Sequence, residues 1–202
     1  MSDNDKKREI RRKALSLFKE KGYDNVTVNE IASAASISKN TFYYYYKSKE
    51  ELIRDVFKPS SYSGEKLAVE LMKSDDPYEQ IMTLCRLTAA HFQLLGKEVV
   101  RKAMILNLGD NIIMSDRPKE KDHHPSWQHE MIHAIYQRAI EQKKIRTDLQ
   151  IKELVRLQMC LLIGVLQSWA TMPCDFDLVK TYLKMAQQVL NVPEQESGDK
   201  HD

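Results

Sequence analysis

Residues 27–52 read TVNEIASAASISKNTFYYYYKSKEEL, and this stretch decides the fold. Thr27 is a good helix N-cap, and Glu30 stands three residues on, the reciprocal spacing of a capping box. Ile31, Ala34 and Ala35 then share one apolar face at helical spacing. The stretch 35–37 is a short break, after which Ser38 can cap a second helix carrying Lys39, Thr41 and a run of aromatics. Two short helices, a tight turn and small alanines where the helices meet describe a helix-turn-helix. The second helix has no acidic residue. It offers Lys39, Asn40, Thr41, Tyr43, Tyr44 and Tyr45, groups suited to phosphates or base edges.

The segment resembles the DNA-binding domain of the TetR family of bacterial transcriptional regulators. That signature runs T-x-x-x-I-A-x-x-A-G-V-S-x-G-T-L-Y-x-Y-F-x-S-K-E-x-L. Thr27, Ile31, Ala32, Ala35, Ser38, Thr41, Tyr43, Tyr45, Ser48, Lys49, Glu50 and Leu52 match it directly, and Ile37, Phe42 and Tyr46 conservatively. Ser36 replaces the turn glycine, which implies a small cost at positive φ. Asn40 replaces a glycine of the recognition helix and adds an amide suited to adenine N6 and N7. The resemblance implies that Thr27, Ser38, Lys39, Asn40, Thr41, Tyr43, Tyr44, Tyr45 and Lys49 form the DNA-binding set. Within it Lys39 and Tyr44 would read bases and Lys49 would hold a phosphate, while Tyr46 packs inward with Phe42.

The chain's 202 residues can bury a real core and hold a small module plus a larger one. Six Gly and six Pro leave room for long helices, and no window alternates like a strand. No stretch is read as long and apolar enough to span a membrane, and the charged N-terminus leads into no signal-peptide core. Cys85, Cys160 and Cys174 are an odd number without a C-x-x-C pair, which fits a reduced cytoplasmic location. The net charge of +2 is unevenly placed: residues 1–58 carry +4 and the remainder −2. Lys6, Lys7, Arg8, Arg11, Arg12 and Lys13 supply much of the excess, as expected of a phosphate-seeking arm beside a helix-turn-helix.

The expected organisation is all-α. Residues 1–58 form a three-helix helix-turn-helix DNA-binding domain, 59–192 a larger helical effector-binding and dimerisation domain, and 193–202 a disordered polar tail. The first helix is expected over about 6–21, with Gly22 as its stop. Ser48 caps a helix that Pro59 kinks or splits. Asp76 caps a helix running to about residue 95, followed by one over 97–108, a polar loop over 109–125, and a helix from the Ser126 cap to about 143. The last two helices span about 151–171 and 176–191.

The 151–171 helix is apolar nearly all round, so a partner must cover part of it. Leu154, Leu161, Leu162, Val165, Trp169, Val179, Tyr182, Leu183 and Ala186 are expected to pair across a two-fold axis, as the TetR resemblance implies for a homodimer. The same resemblance places a small-molecule effector pocket among the middle helices. Candidate lining residues are Met72, Met82, Cys85, Phe92, Met104, Trp127, Met131, Tyr136 and Met159.

His129-Glu130-Met131-Ile132-His133 is a literal H-E-x-x-H, and Glu153 stands where a third zinc ligand could be imagined. A zinc-hydrolase helix also needs a sheet and an open cleft, so surface or pocket lining is the preferred role of His123, His124, His129 and His133. The reading is therefore a non-enzymatic, one-component transcriptional regulator without a cofactor. It is expected to be a repressor that binds a palindromic double-stranded DNA operator as a cytoplasmic homodimer and is released by an effector. The alternatives are a metal- or redox-responsive DNA-binding regulator, and a zinc hydrolase through His129, Glu130 and His133.

Overall fold

The computed structural model describes residues 3–54, 64–108, 127–146, 148–173 and 175–191. Every regular element among them is an α-helix: α1 (Asp3–Lys21), α2 (Val28–Ala34), α3 (Lys39–Tyr45), α4 (Lys49–Arg54), α5 (Gly64–Leu71), α6 (Pro77–Leu95), α7 (Lys97–Leu108), α8 (Trp127–Glu141), α9 (Ile151–Thr171) and α10 (Leu178–Leu190). The expected Pro59 break, the loop over 109–125 with His123 and His124, the Ser126 cap, Cys174 and the tail from 193 lie outside the described residues.

α1 buries Ile10, Ala14 and Phe18, one residue per turn, and ends at Gly22 with φ +82. At α2 the capping box is formed in full. Thr27 Oγ1 accepts from the Glu30 amide at 3.2 Å, and a Glu30 carboxylate oxygen accepts from the Thr27 amide at 2.9 Å. A hydrogen bond from Lys21, with those from Thr27, holds the Glu30 carboxyl down at about 2.

The tight turn that follows is a Schellman motif. Ile37 N–H donates to the Ala32 carbonyl and Ser36 N–H to that of Ser33, each at 3.0 Å, with Ser36 at φ 52. A serine thus takes the left-handed position at a cost of roughly 1–2 kcal/mol. α3 starts where Ser38 Oγ accepts from the Thr41 amide at 3.0 Å. Phe42 and Tyr46 are fully buried with Ile10, Phe18, Ile31, Leu52 and Ile53, which fixes α3 against α1 and α2.

In the larger part, Asp76 caps α6 by accepting from the Tyr78 amide at 2.8 Å, and Gly96 at φ +86 separates α6 from α7. α6 packs on α8 and α10, while α9 lies between α7 and α10. α8 closes at Glu141, short of the expected 143. Lys143 adopts φ 53, and the Lys143 and Lys144 amides donate back to the Ile140 and Ala139 carbonyls, a stop without a glycine to announce it. α10 begins at Leu178 because Asp177 caps it, accepting from the Lys180 amide at 2.9 Å.

Two expectations are corrected here. α9 has 21 residues at a mean hydropathy of 1.3, long and apolar enough to cross a membrane by length and composition. It is packed within the helical core, and its outer face carries Lys152, Glu153 and Arg156. Six of the residues expected at a dimer interface (Leu154, Leu162, Val165, Trp169, Tyr182 and Ala186) are buried in the chain's own core instead. A sequence that is apolar on both sides does not say which side is inward. Leu161, Val179 and Leu183 are half-buried against that core. The edge of α9 away from the core runs through Leu157, Leu161, Gly164 and Ser168, one residue per turn; Leu157 and Gly164 are exposed and Leu161 and Ser168 half-buried, with Met185 exposed on α10.

His91 on α6 is held down at about 4, first by burial and then by the nearby Arg11. The unfolded imidazole takes up its proton near the ordinary value of 6.5 and the native one only near 4. The stability this group contributes is therefore complete above 6.5 and is lost as pH falls from 6.5 to about 4. Urea unfolding at pH 7 and pH 5 should show a larger loss for the wild type than for His91→Gln. Equal losses would contradict the buried neutral imidazole.

Candidate nucleic-acid interface

Anchored from beneath by Phe42 and Tyr46, α3 turns its other face outward. Lys39 and Asn40 are exposed at its first turn, where no acidic side chain offsets them. Tyr44 is 74% exposed and Tyr43 45%, while Thr41 is half-buried. The rings are not free rotors. Tyr43 meets Phe42 edge-on at 5.6 Å and Tyr44 meets Tyr45 edge-on at 5.0 Å. A helix that presents a lysine, an amide and two amphipathic rings, with its N-terminal amides partly free, can bind phosphate and read groove edges.

Thr27 is exposed at the start of α2, and its hydroxyl serves the capping box. Ser38 is exposed, and its hydroxyl lies 2.8 Å from that of Thr41. Tyr45 departs from the outward set. Its hydroxyl donates to Asp3 at 2.7 Å, which ties the end of α3 to the start of α1 and raises the phenol above its ordinary value. Within the basic arm, Lys6 pairs with Glu9 at 2.9 Å and Lys7 lies 4.9 Å above the Tyr46 ring, while Arg8 and Arg12 are exposed.

Lys49 departs from its expected phosphate role. Its ammonium donates to the carbonyls of Tyr23 at 2.7 Å and Val26 at 2.9 Å, and sits 4.1 Å over the Tyr23 ring. Those carbonyls close the turn between α1 and α2, so this lysine acts as a clamp inside the domain. The turn was not singled out from the sequence. Tyr23 is buried, donates its hydroxyl to Glu50 at 3.1 Å, and has its phenol pushed well above the ordinary range by burial. An aromatic directly after a helix-stop glycine was the only local sign of this role.

The expected effector residues divide. Met82, Cys85, Phe92, Met104 and Tyr136 are buried, and Met131 is half-buried against them. Met72, at 81% exposure, and Met159, at 43%, face outward and line no interior space. The Trp127 side chain lies outside the described residues. A polar cluster that the sequence did not announce sits in the same core. Tyr182 Oη donates to Gln158 Oε1 at 3.1 Å, and Cys85 Sγ lies 3.9 Å from the same oxygen. Gln158 is 6% exposed, and its amide nitrogen has no partner among the described residues. Burial pushes the Cys85 thiol up to about 11.

The H-E-x-x-H sequence lies on α8, with Glu130 and His133 on its exposed surface. Glu153 is engaged elsewhere, accepting from the Gln150 amide at 2.9 Å at the start of α9. No group of three metal-ligating side chains occurs among the described residues.

Residues 10–56 match the family described as bacterial regulatory proteins, tetR family. A biofilm-operon negative transcriptional regulator, IcaR of Staphylococcus epidermidis, is 46% identical over 41 residues, which is 20% of this chain and 22% of that protein. Over these first curated relatives the chain therefore spans less than a quarter of their length. The regulator AcrR of Shigella flexneri is 21% identical over 175 residues, covering 83% of this chain and 79% of that one. Among solved structures, FadR of Thermus thermophilus, a TetR-family repressor bound to lauroyl-CoA, aligns over 95% of this chain and 98% of its own. Its TM-score is 0.58 at 21% identity. RolR bound to resorcinol aligns over 94% of this chain and 89% of its own, with a TM-score of 0.55 at 19% identity. At such identities the likeness is one of fold.

If Lys49 clamps the turn, Lys49→Met should lower unfolding free energy by about 1.5–3 kcal/mol, the range for hydrogen bonds to a charged group. The exposed Tyr44→Ala should stay within about 0.5 kcal/mol of wild type. Denaturant unfolding of the two variants checks this, and an unaffected Lys49→Met protein would return Lys49 to a surface role.

Proposed function

We propose, from the match of residues 10–56 to the tetR family of bacterial regulatory proteins, that this chain is a TetR-type homodimeric, one-component repressor. In this reading α3 enters the major groove of a palindromic operator. Lys39, Asn40, Tyr43 and Tyr44 meet bases and phosphates, and the basic face of α1 adds phosphate contacts. The observation that carries it is the outward face of α3, a lysine, an amide and two exposed tyrosines on a helix bolted down by Phe42 and Tyr46.

Two copies would pair through the outer stripe of α9, Leu157, Leu161, Gly164 and Ser168, with Met185 of α10 beside it. Residues at this spacing can form a helix seam in a four-helix bundle. The effector is a small molecule with an apolar body that enters the core shared by α6, α8, α9 and α10 and presents a hydrogen-bonding group to Gln158. It acts by binding two conformers of the protein unequally. Structural relatives that hold lauroyl-CoA and resorcinol are compatible with so adaptable a domain. A redox-responsive regulator working through Cys85 is disfavoured, because a thiol pushed up to about 11 stays protonated at neutral pH and reacts slowly.

Lys39→Ala and Tyr44→Ala should each weaken operator binding by about 5–150-fold, the equivalent of 1–3 kcal/mol per base contact, measured by fluorescence anisotropy at fixed salt. Undiminished binding by both would contradict the base-reading role of α3. In sedimentation at micromolar concentration, Leu161→Glu should shift the protein from dimer to monomer. A wild type that is already monomeric would contradict the proposed pairing.

A further inference from the structure

We propose that Glu98 and Lys102 of α7 form a latch by which the larger domain sets the orientation of the helix-turn-helix, gripping the turn between α1 and α2. The proposal deepens the regulator reading and rests on it for its biological meaning, while its geometry stands by itself. Glu98 Oε1 accepts from the Tyr23 amide at 2.8 Å, across 75 residues of sequence. Lys102, one helical turn further on, pairs with Asp24 at 3.2 Å and lies 4.9 Å from the Tyr23 ring.

The approach is close. A Cβ on Gly22 would stand 3.2 Å from Glu98 Oε1, and Gly22 is also at φ +82. The residue-23 main chain is therefore held at its amide by α7 and at its carbonyl by Lys49 of α4.

The two latch residues are unequal. The Lys102–Asp24 pair is solvated, with the Asp24 side chain 81% exposed, and pairs of this kind contribute little. Glu98 makes a charge-assisted bond to the main chain of a buried residue, a stronger and more directional contact. Glu98 therefore holds the turn, and Lys102 steers it.

The other side of α7 packs on α9, the helix that carries the partly unpartnered Gln158. A rearrangement around Gln158 that shifts α7 would pull on the turn. α1 ends and α2 begins there, so α3 would follow them as one body. Glu98 is thus a positioning residue, acting on DNA through the turn.

The test uses the full chain. In its first arm no DNA is needed: spin labels on unnatural residues at Lys19 of α1 and Arg101 of α7, diluted with unlabelled protein, report the distance between the two helices. Wild type and Glu98→Gln, which keeps an acceptor, should give one narrow distribution. Glu98→Ala should broaden it while the thermal unfolding midpoint moves by only a few degrees. An unchanged distribution in Glu98→Ala overturns the latch.

The second arm follows hydrogen exchange with and without a duplex of the chain's own upstream intergenic DNA. DNA should slow exchange over 39–45 and 97–108 in wild type, but only over 39–45 in Glu98→Ala, whose DNA affinity should fall severalfold. Protection of 97–108 that persists in Glu98→Ala overturns the coupling. A wild type that keeps the narrow distance yet binds no DNA would contradict the regulator reading and leave the latch supported.

Discussion

The peptide of Tyr23 is the point on which the N-terminal helices turn. Its amide is bound by Glu98 of α7, its carbonyl by Lys49 of α4, and its hydroxyl by Glu50, with the ring buried beneath two ammonium groups. A short turn with unpaired main-chain groups would be free to move and would let α1 and α2 splay. Supplying partners from two separate helices makes the turn one of the places where helix-turn-helix and larger domain are joined, beside the packing of α4 on α7. The rest of the N-terminal unit builds on this constraint: α1 and α2 leave the turn at a fixed angle, and Phe42 and Tyr46 seat α3 in the angle between them.

Local chemistry made much of the first fifty residues legible. A capping box, two Ser caps and the aromatic anchor pair act within a few residues of themselves, so their physics is written in order along the chain. Even the replacement of the turn glycine by Ser36 announced its consequence, a left-handed serine. The starts of α6 and α7 were equally readable, because Asp76-Pro77 and Gly96 mark breaks that any partner arrangement must respect. α5, which follows residues outside the described set, carried no comparable signal and was not foreseen.

What could not be read depends on contacts across long sequence distances. The apolar helices α9 and α10 offered more candidate interface residues than a single face can hold, and the pattern alone could not tell the chain's own core from an outer seam. The structure separates them, with Leu154, Leu162, Val165 and Trp169 inward, Leu157 and Gly164 outward and Leu161 half-buried between the two. Lys49 looked like a phosphate ligand because the family resemblance puts one at its position, yet the carbonyls that claim it lie 23 and 26 residues earlier. Gln158 was passed over among methionines and aromatics. A single amide in an apolar helix becomes informative only when its buried, half-satisfied state is seen.

The central claim, that the fixed face of α3 reads one DNA sequence, is most directly tested by footprinting the purified protein on its own upstream intergenic DNA over a salt series. The account predicts one protected site with two-fold symmetric halves about one helical turn (roughly 10 base pairs) or a multiple of it apart. Its affinity should fall steeply as salt rises. Protection spread evenly over every sequence, at any salt, would contradict it.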